Sequence, residues 1–324
     1  MSVSNLQVTL KVDSGVALAG EGALGIAVSV WFPETPHLHE SAVALVCLPG
    51  GNMNRRYFDL RPADGDETFS FALQMTARGF VVVALDYLGL GDSSKPRDGY
   101  ALAPDVLTQA CVNATDAILA RLRAGLVSPD APALPQLTSI GVGHSMGAMM
   151  TVLLQAQSRA HAAIALLGFS TRGLPEYVPA DVRVLDQAAQ RARLVEDARR
   201  MFREPYPVIR SSGNGAETYG SAKAEARGIA ALKAATDCLL PVTAFMSMLP
   251  GNVAPEAAQI DVPVFLGLGE RDMAGPPHLI PAAFPASRDV TLHILPETGH
   301  SHFLFPSRAE LFDRMAAWGR EVLG

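Results

Sequence analysis

The chain of 324 residues contains only three cysteines, Cys47, Cys111 and Cys238, far apart in sequence. That number and spacing exclude a disulfide framework and a cysteine-based metal site, and a reducing compartment fits best. Cys47 lies in an apolar run and reads as a small buried hydrophobe. Positive charge is also sparse: the net charge is −6, and Arg55-Arg56 and Arg199-Arg200 are the densest basic runs. This is not the footprint of a nucleic-acid-binding protein. No apolar run is long enough to span a bilayer, and Met1-Ser-Val-Ser-Asn-Leu-Gln-Val8 lacks the basic start and apolar core of a signal peptide. A soluble, cytoplasmic protein is expected. With 49% hydrophobic and 18% charged residues, the chain can bury a large core.

Against that background, one stretch carries chemistry. Thr138-Ser-Ile-Gly-Val-Gly-His-Ser-Met-Gly147 is a short apolar run leading into G-x-S-x-G, followed by the helix-like Ala148-Met-Met-Thr-Val-Leu-Leu-Gln155. The pattern is that of a strand turning sharply into a helix and holding a serine hydroxyl over the sheet edge. Gly143 and Gly147 stand where a side chain would collide with the backbone of so tight a turn. Ser145 itself is expected at positive φ, a costly conformation for a residue other than glycine.

The remaining sequence alternates strand-like and helix-like runs. Val8–Val12 and Ile26–Phe32 suggest an antiparallel pair. Ala42–Leu48, Phe80–Leu85, Ala162–Leu167, Val262–Leu268 and Val290–Leu295 are continuous apolar runs, as in strands buried on both faces. Phe69–Arg78, Pro104–Arg123 and Arg308–Leu323 carry helical spacing. Such alternation predicts a mostly parallel sheet flanked by helices, with functional groups at the carboxyl ends of strands. Between Ser170 and about Ile260 the composition shifts to Ala, Arg and Glu, with helical stretches at Val184–Phe202 and Ser221–Ala235. A helical cap over 171–259, inserted after the sixth strand into a core of 1–170 and 260–324, is the favoured reading. The alternative is that these helices pack on a sheet face.

A serine hydroxyl needs a base to take its proton, and the base works better when a third group orients it. The order Ser…Asp/Glu…His is met by Asp272 in Gly269-Glu-Arg-Asp272 and His300 in Pro296-Glu-Thr-Gly-His300, each just past a strand. Glu270 and His302, each two residues away, are rivals for these places. His144 is expected to point to the core side of its turn. His37, His39, His161, His278 and His293 have no evident partner in sequence. The elbow also supplies one oxyanion donor, the N–H of Met146.

Pro49-Gly-Gly-Asn52, Asp86-Tyr-Leu-Gly-Leu-Gly-Asp-Ser93, Gly143-His-Ser-Met-Gly147, Gly269-Glu-Arg-Asp272 and Thr298-Gly-His300 together make the whole chain resemble the α/β-hydrolase family. The resemblance implies the α/β-hydrolase fold, with Ser145 as nucleophile, His300 as general base and Asp272 as orienting carboxylate. Where relatives commonly carry His-Gly-x, this chain has Pro49-Gly50-Gly51. Matching proline to that histidine makes Gly51 the second oxyanion donor, with Asn52 as fallback. Asp86 and Asp92 fall in a loop that is architectural in such proteins. Arg55 or Arg56 reaches a substrate carboxylate or is salt-bridged.

Asn52, His144, Phe169 and Met246 are candidate substrate contacts, although methionine fills cores equally well. The expected reaction is hydrolysis of a carboxylic ester, lactone or thioester of a small to medium apolar substrate, with no metal or organic cofactor implied. The same three residues also suit diketone C–C or amide hydrolysis, acyl transfer or perhydrolysis. A ligand-sensing receptor on the same fold is a non-enzymatic alternative. A homo-oligomer is left open.

Overall fold

The structure is a computed structural model that describes residues 6–34, 41–209 and 220–324. Eight strands form one sheet: β1 (Gln7–Asp13), β2 (Gly25–Trp31), β3 (Val43–Leu48), β4 (Val81–Leu85), β5 (Thr138–His144), β6 (Ala163–Leu167), β7 (Val264–Gly269) and β8 (Val290–Leu295). Their order across the sheet is β1-β2-β4-β3-β5-β6-β7-β8. β1 pairs antiparallel with β2 through Val12↔Ile26, and β2 antiparallel with β4. All other neighbours run parallel. The continuous apolar runs have their physical cause here. β4 and β6 are buried at every position because helices cover both faces of the sheet.

The helices are α1 (Phe71–Thr76), α2 (Pro104–Ala124), α3 (Met146–Ser158), α4 (Ala180–Arg183), α5 (Gln187–Ala192), α6 (Leu194–Phe202), α7 (Ala226–Ala235), α8 (Pro241–Met248), α9 (Ala254–Ala257) and α10 (Arg308–Leu323). Proline opens α2 and Gly125 closes it at φ 68, the usual asymmetry of helix ends. Three helical expectations are too long, each for a local reason. Ser70 caps the N–H of Leu73, so α1 starts after it. Asp186 caps the N–H of Ala189 and restarts the helix inside Val184–Phe202. The Ser221 hydroxyl takes the N–H of Lys223 in a turn, delaying α7 to Ala226. The insertion between β6 and β7 contains no strand among its described residues, apart from an isolated bridge between Thr236 and Met53. No helix among the described residues is long and apolar enough to cross a membrane.

The loop after β3 is fastened to the loop after β4 by a buried ion pair. Arg55 donates to Asp86, and Asp86 also accepts the N–H of Arg55 at 2.7 Å and that of Asp92 at 2.9 Å. The same guanidinium reaches Asp92 at 2.7 Å and the Ser29 hydroxyl at 2.9 Å. Arg55 is thus salt-bridged and turned away from any substrate. Burial raises the Asp86 carboxyl above its ordinary value, and the neighbouring guanidinium opposes that rise. Arg55→Met strands a buried carboxylate, and removing one partner of such a pair costs about 3–5 kcal/mol. Chemical denaturation should show that loss, and a variant as stable as the wild type would deny the pair its structural role.

Candidate active site

Four strand ends meet at one rim of the sheet. β5 delivers Ser145, β7 delivers Asp272, β8 delivers His300, and β3 delivers the Pro49-Gly50-Gly51 turn. Ser145 adopts φ 56 and ψ −121, and its N–H is tied to the carbonyl of Leu167 at 2.8 Å. The flanking glycines are required sterically. A Cβ on Gly143 would lie 2.3 Å from the carbonyl oxygen of Gly147, and one on Gly147 would lie 2.1 Å from that of Leu48.

The three candidate side chains are in contact. His300 Nε2 lies 2.7 Å from Ser145 Oγ, and His300 Nδ1 lies 2.7 Å from Asp272 Oδ1. With Nδ1–H donating to the carboxylate, Nε2 is left to accept the serine proton. Asp272 Oδ1 also accepts the Ala274 N–H at 2.9 Å. Burial works against an ionised Asp272, but the two imidazoles beside it prevail and hold its carboxyl well below the usual range. Burial pulls His300 down, while the charge and hydrogen bond of Asp272 push it up. The net result is a raised imidazole.

The rivals are separated by where their side chains go. Glu270 Oε2 accepts the N–H of Glu297 at 2.8 Å, bracing the loop that carries His300 rather than touching its ring. His302 is fully buried and donates from Nε2 to the other oxygen of the same carboxylate, Asp272 Oδ2, at 3.1 Å. Two imidazoles therefore share one carboxylate, and only His300 touches the serine. His144 is also fully buried, its ring stacked 4.6 Å from Tyr57 and its Nε2 bonded to the carbonyl of His300 at 2.9 Å. Burial and the charges of the two neighbouring histidines hold its pKa well below the ordinary value. The same ring lines the cavity that opens from Ser145, and its bond fixes the backbone of His300. His161 bonds Ser139 inside the core, and His37 and His39 lie outside the described residues.

The N–H groups of Gly51 and Met146 donate to no protein acceptor among the described residues, as an oxyanion site requires. The same holds for Asn52, which sits at φ 53 beside them. A cavity of about 330 Å³ opens from Ser145 and is lined by Gly51, Asn52, Leu239, Ala244, Ser247 and Met248 among others. On its other side Ser145 faces a chamber of about 50 Å³ that includes Phe169, Asn252 and Ala274. Met246 belongs to neither. It faces a separate cavity of about 570 Å³ between α2, α3 and the insertion, together with Val242. The cause is helix phase: Ala244, Ser247 and Met248 share one face of α8, while Val242 and Met246 share another.

One residue at the site has no sequence motif to mark it. Gly168, just after β6, sits at φ 62, and a Cβ there would lie 2.9 Å from His300 Cε1 and 3.0 Å from His300 Nδ1. Only glycine lets the imidazole settle against this backbone. Gly168→Ala is expected to displace the ring and lower kcat roughly 10²-fold, the scale of a small misplacement at a reacting group. Unchanged kinetics would remove the steric argument.

Residues 45–314 match the Alpha/beta hydrolase family. A sequence search of curated proteins finds no match to the chain. Among solved structures, a hypothetical protein from Pseudomonas aeruginosa is similar at 17% identity with a TM-score of 0.63, covering 99% of this chain and 95% of that one. A monoacylglycerol lipase from Paleococcus ferrophilus is similar at 17% identity and TM-score 0.59, covering 91% and 97%. A thermophilic esterase from Thermogutta terrifontis is similar at 15% identity and TM-score 0.55, covering 98% of each chain. At such identities the likeness concerns the fold. The match over most of the length, joined to the eight-stranded, mostly parallel sheet, establishes that this chain belongs to the alpha/beta hydrolase family.

Proposed function

We propose that the protein hydrolyses a neutral carboxylic ester, lactone or thioester through an acyl-enzyme on Ser145. The observation that carries the reading is the single imidazole of His300, which bridges Ser145 Oγ and Asp272 Oδ1 at 2.7 Å each. Ser145 attacks the carbonyl carbon as its proton passes to His300 Nε2. The N–H groups of Gly51 and Met146 receive the negative charge that develops on oxygen, where one such donor is worth about 3–4 kcal/mol. His300 then protonates the leaving alkoxide or thiolate. A water molecule, deprotonated by the same nitrogen, cleaves the acyl-enzyme and restores the serine. Asp272 holds the tautomer and stabilises the imidazolium.

In this reading residues 171–259 are a cap. The support is that Leu174, Leu239, Ser247 and Met248 of the insertion line the cavity that opens from the serine. The direct test is intact-protein and peptide mass spectrometry after treatment with a fluorophosphonate, paired with a panel of nitrophenyl esters. One adduct on Ser145, absent from Ser145→Ala, together with ester turnover is the expected result. Labelling elsewhere, or none, refutes the scheme.

The raised imidazole gives a pH prediction with a definite sign. Only neutral His300 can accept the serine proton, so kcat/KM must fall as pH drops through its pKa. Because the net shift is upward, the midpoint of that acid limb is expected above the ordinary histidine value of about 6.5. Removing the charge in Asp272→Asn should move the midpoint to lower pH. A limb that stays in place would detach it from His300.

A further inference from the structure

The two hollows on either side of Ser145 differ in size, in openness to solvent and in the firmness of their walls, and they share the reacting residues. Ser145, Met146, Leu174, Ser247, Met273 and His300 line both. A water-sized group needs about 10–15 Å³ of such space. The chamber of about 50 Å³ therefore takes a short group of a few atoms, and the cavity of about 330 Å³ a group several times larger.

Much of the short chamber's wall is made of parts that cannot yield easily. Phe169 is 2% exposed, and its ring is backed by Phe284 at 5.8 Å between centroids. Asn252 is held by its Nδ2 donating to the carbonyl of Ser247 at 3.1 Å and its Oδ1 accepting the N–H of Val253 at 2.6 Å. Gly173 is backed by the carbonyls of Leu249 and Met248, each 2.5 Å from where its Cβ would be. The long cavity instead runs out to solvent over an apolar rim of its own: Tyr177 is 60% exposed and Ile209 45%. Exposed apolar side chains that continue an apolar lining suit a guest longer than the cavity itself.

Charge is the third observation. Among the described residues, no Asp, Glu, Lys or Arg side chain lines either hollow. A substrate bearing an ammonium or carboxylate close to the scissile bond would lose its hydration and gain no partner.

We infer that the substrate is an uncharged, lopsided ester, with one short arm and the other a long apolar chain that passes over the Tyr177–Ile209 rim. The inference rests on the ester-hydrolase reading of Ser145 and adds to it which esters fit. The two arms sit on opposite sides of the attacked carbonyl, so a substrate with two long arms cannot place that carbonyl against Gly51 and Met146.

The test uses two homologous series with the purified full chain. One is the methyl esters from acetate to decanoate, which lengthens the acyl arm against a small alcohol. The other is the acetate esters from methyl to decyl, which lengthens the alcohol arm against a small acyl group; both are followed by acid release. In one series, kcat/KM should rise about fourfold per methylene, as burial of a CH₂ in an apolar cavity gives. In the other it should drop between 10- and 200-fold at the methylene that overfills the short chamber. Which series breaks names the arm that the short chamber receives.

Phe169→Ala should move the break to longer chains. Leu174→Ala, at a half-buried position on the wall between the two hollows, reads the same effect if Phe169→Ala does not fold. Esters bearing a carboxylate or a quaternary ammonium near the carbonyl should react more slowly than their neutral isosteres. Two series that climb together, or fall together, would overturn the inference, as would a break that neither variant shifts. Fluorophosphonate labelling keeps the two failures apart. Labelled Ser145 with no break rejects the lopsided substrate alone, whereas an unlabelled Ser145 rejects the hydrolase reading beneath it.

Discussion

Ser145→Ala is expected to lower kcat about 10⁶-fold, the scale seen when a triad nucleophile is removed, and Ser145→Gly should be equally inactive. The two variants should part in stability. Ser145 sits at φ 56 and ψ −121, a sparsely populated region for any residue with a Cβ. Such a residue costs of order 1–3 kcal/mol, sustained by the surrounding structure. Here the restraint is visible: the N–H of Ser145 is bound to Leu167, and its carbonyl accepts from Ala148 and Met149. Alanine keeps the Cβ and therefore the strain, and its loss is the hydrogen bond to His300. Glycine adopts this backbone readily. Denaturant unfolding should therefore place Ser145→Gly about 1 kcal/mol above Ser145→Ala. Equal stabilities would mean that the elbow holds no backbone strain, and the steric account of Gly143 and Gly147 would need revision.

The parts of this site that could be read from sequence are those whose physical demands are local. The elbow needs small residues at fixed offsets from one serine, so Gly143, Ser145 and Gly147 announce it. The order of the other two candidates follows from strands that end in loops. Choices between neighbours on those loops are set by tertiary contacts. Asp272 and Glu270 differ by two residues, and what separates them is that Glu270 takes the N–H of Glu297. His300 and His302 differ likewise, and both reach Asp272; burial beneath the carboxylate, not proximity in sequence, keeps His302 from the serine. Met246 shows the limit of composition. A helix turns about 100° per residue, so an apolar methionine one position from Ser247 faces another cavity. Arg55 and Asp86 lie 31 residues apart, and nothing near either one indicates that they are buried together. Gly168 carries no motif because its constraint comes from a ring more than a hundred positions away.

The shared carboxylate makes Asp272→Asn a sharper experiment than the same change in a triad with one imidazole. An asparagine has one oxygen and one NH₂ where the aspartate had two acceptors. Three donors converge on Asp272: His300 Nδ1 and the Ala274 N–H on Oδ1, and His302 Nε2 on Oδ2. Two of the three point at one atom, so the amide oxygen is expected there and the NH₂ opposite His302. His302 can accommodate this by moving its proton to Nδ1, which has no partner among the described residues. His300 then keeps Nδ1–H and can still accept the serine proton at Nε2. What is lost is the negative charge beside the imidazolium that forms in the transition state. That attraction is worth about 4 kcal/mol at some 4 Å and an effective dielectric near 20, so kcat should fall roughly 10³-fold. A fall of about 10⁴-fold is the mark of the wrong tautomer, which follows when the amide presents NH₂ to the catalytic imidazole. Imidazole proton and nitrogen NMR of the variant distinguishes the two, since only the first leaves Nδ1 of His300 protonated. Glu270→Gln, measured beside it, should keep near-normal turnover. A variant Asp272→Asn that turns over at the wild-type rate would take the carboxylate out of the reaction altogether.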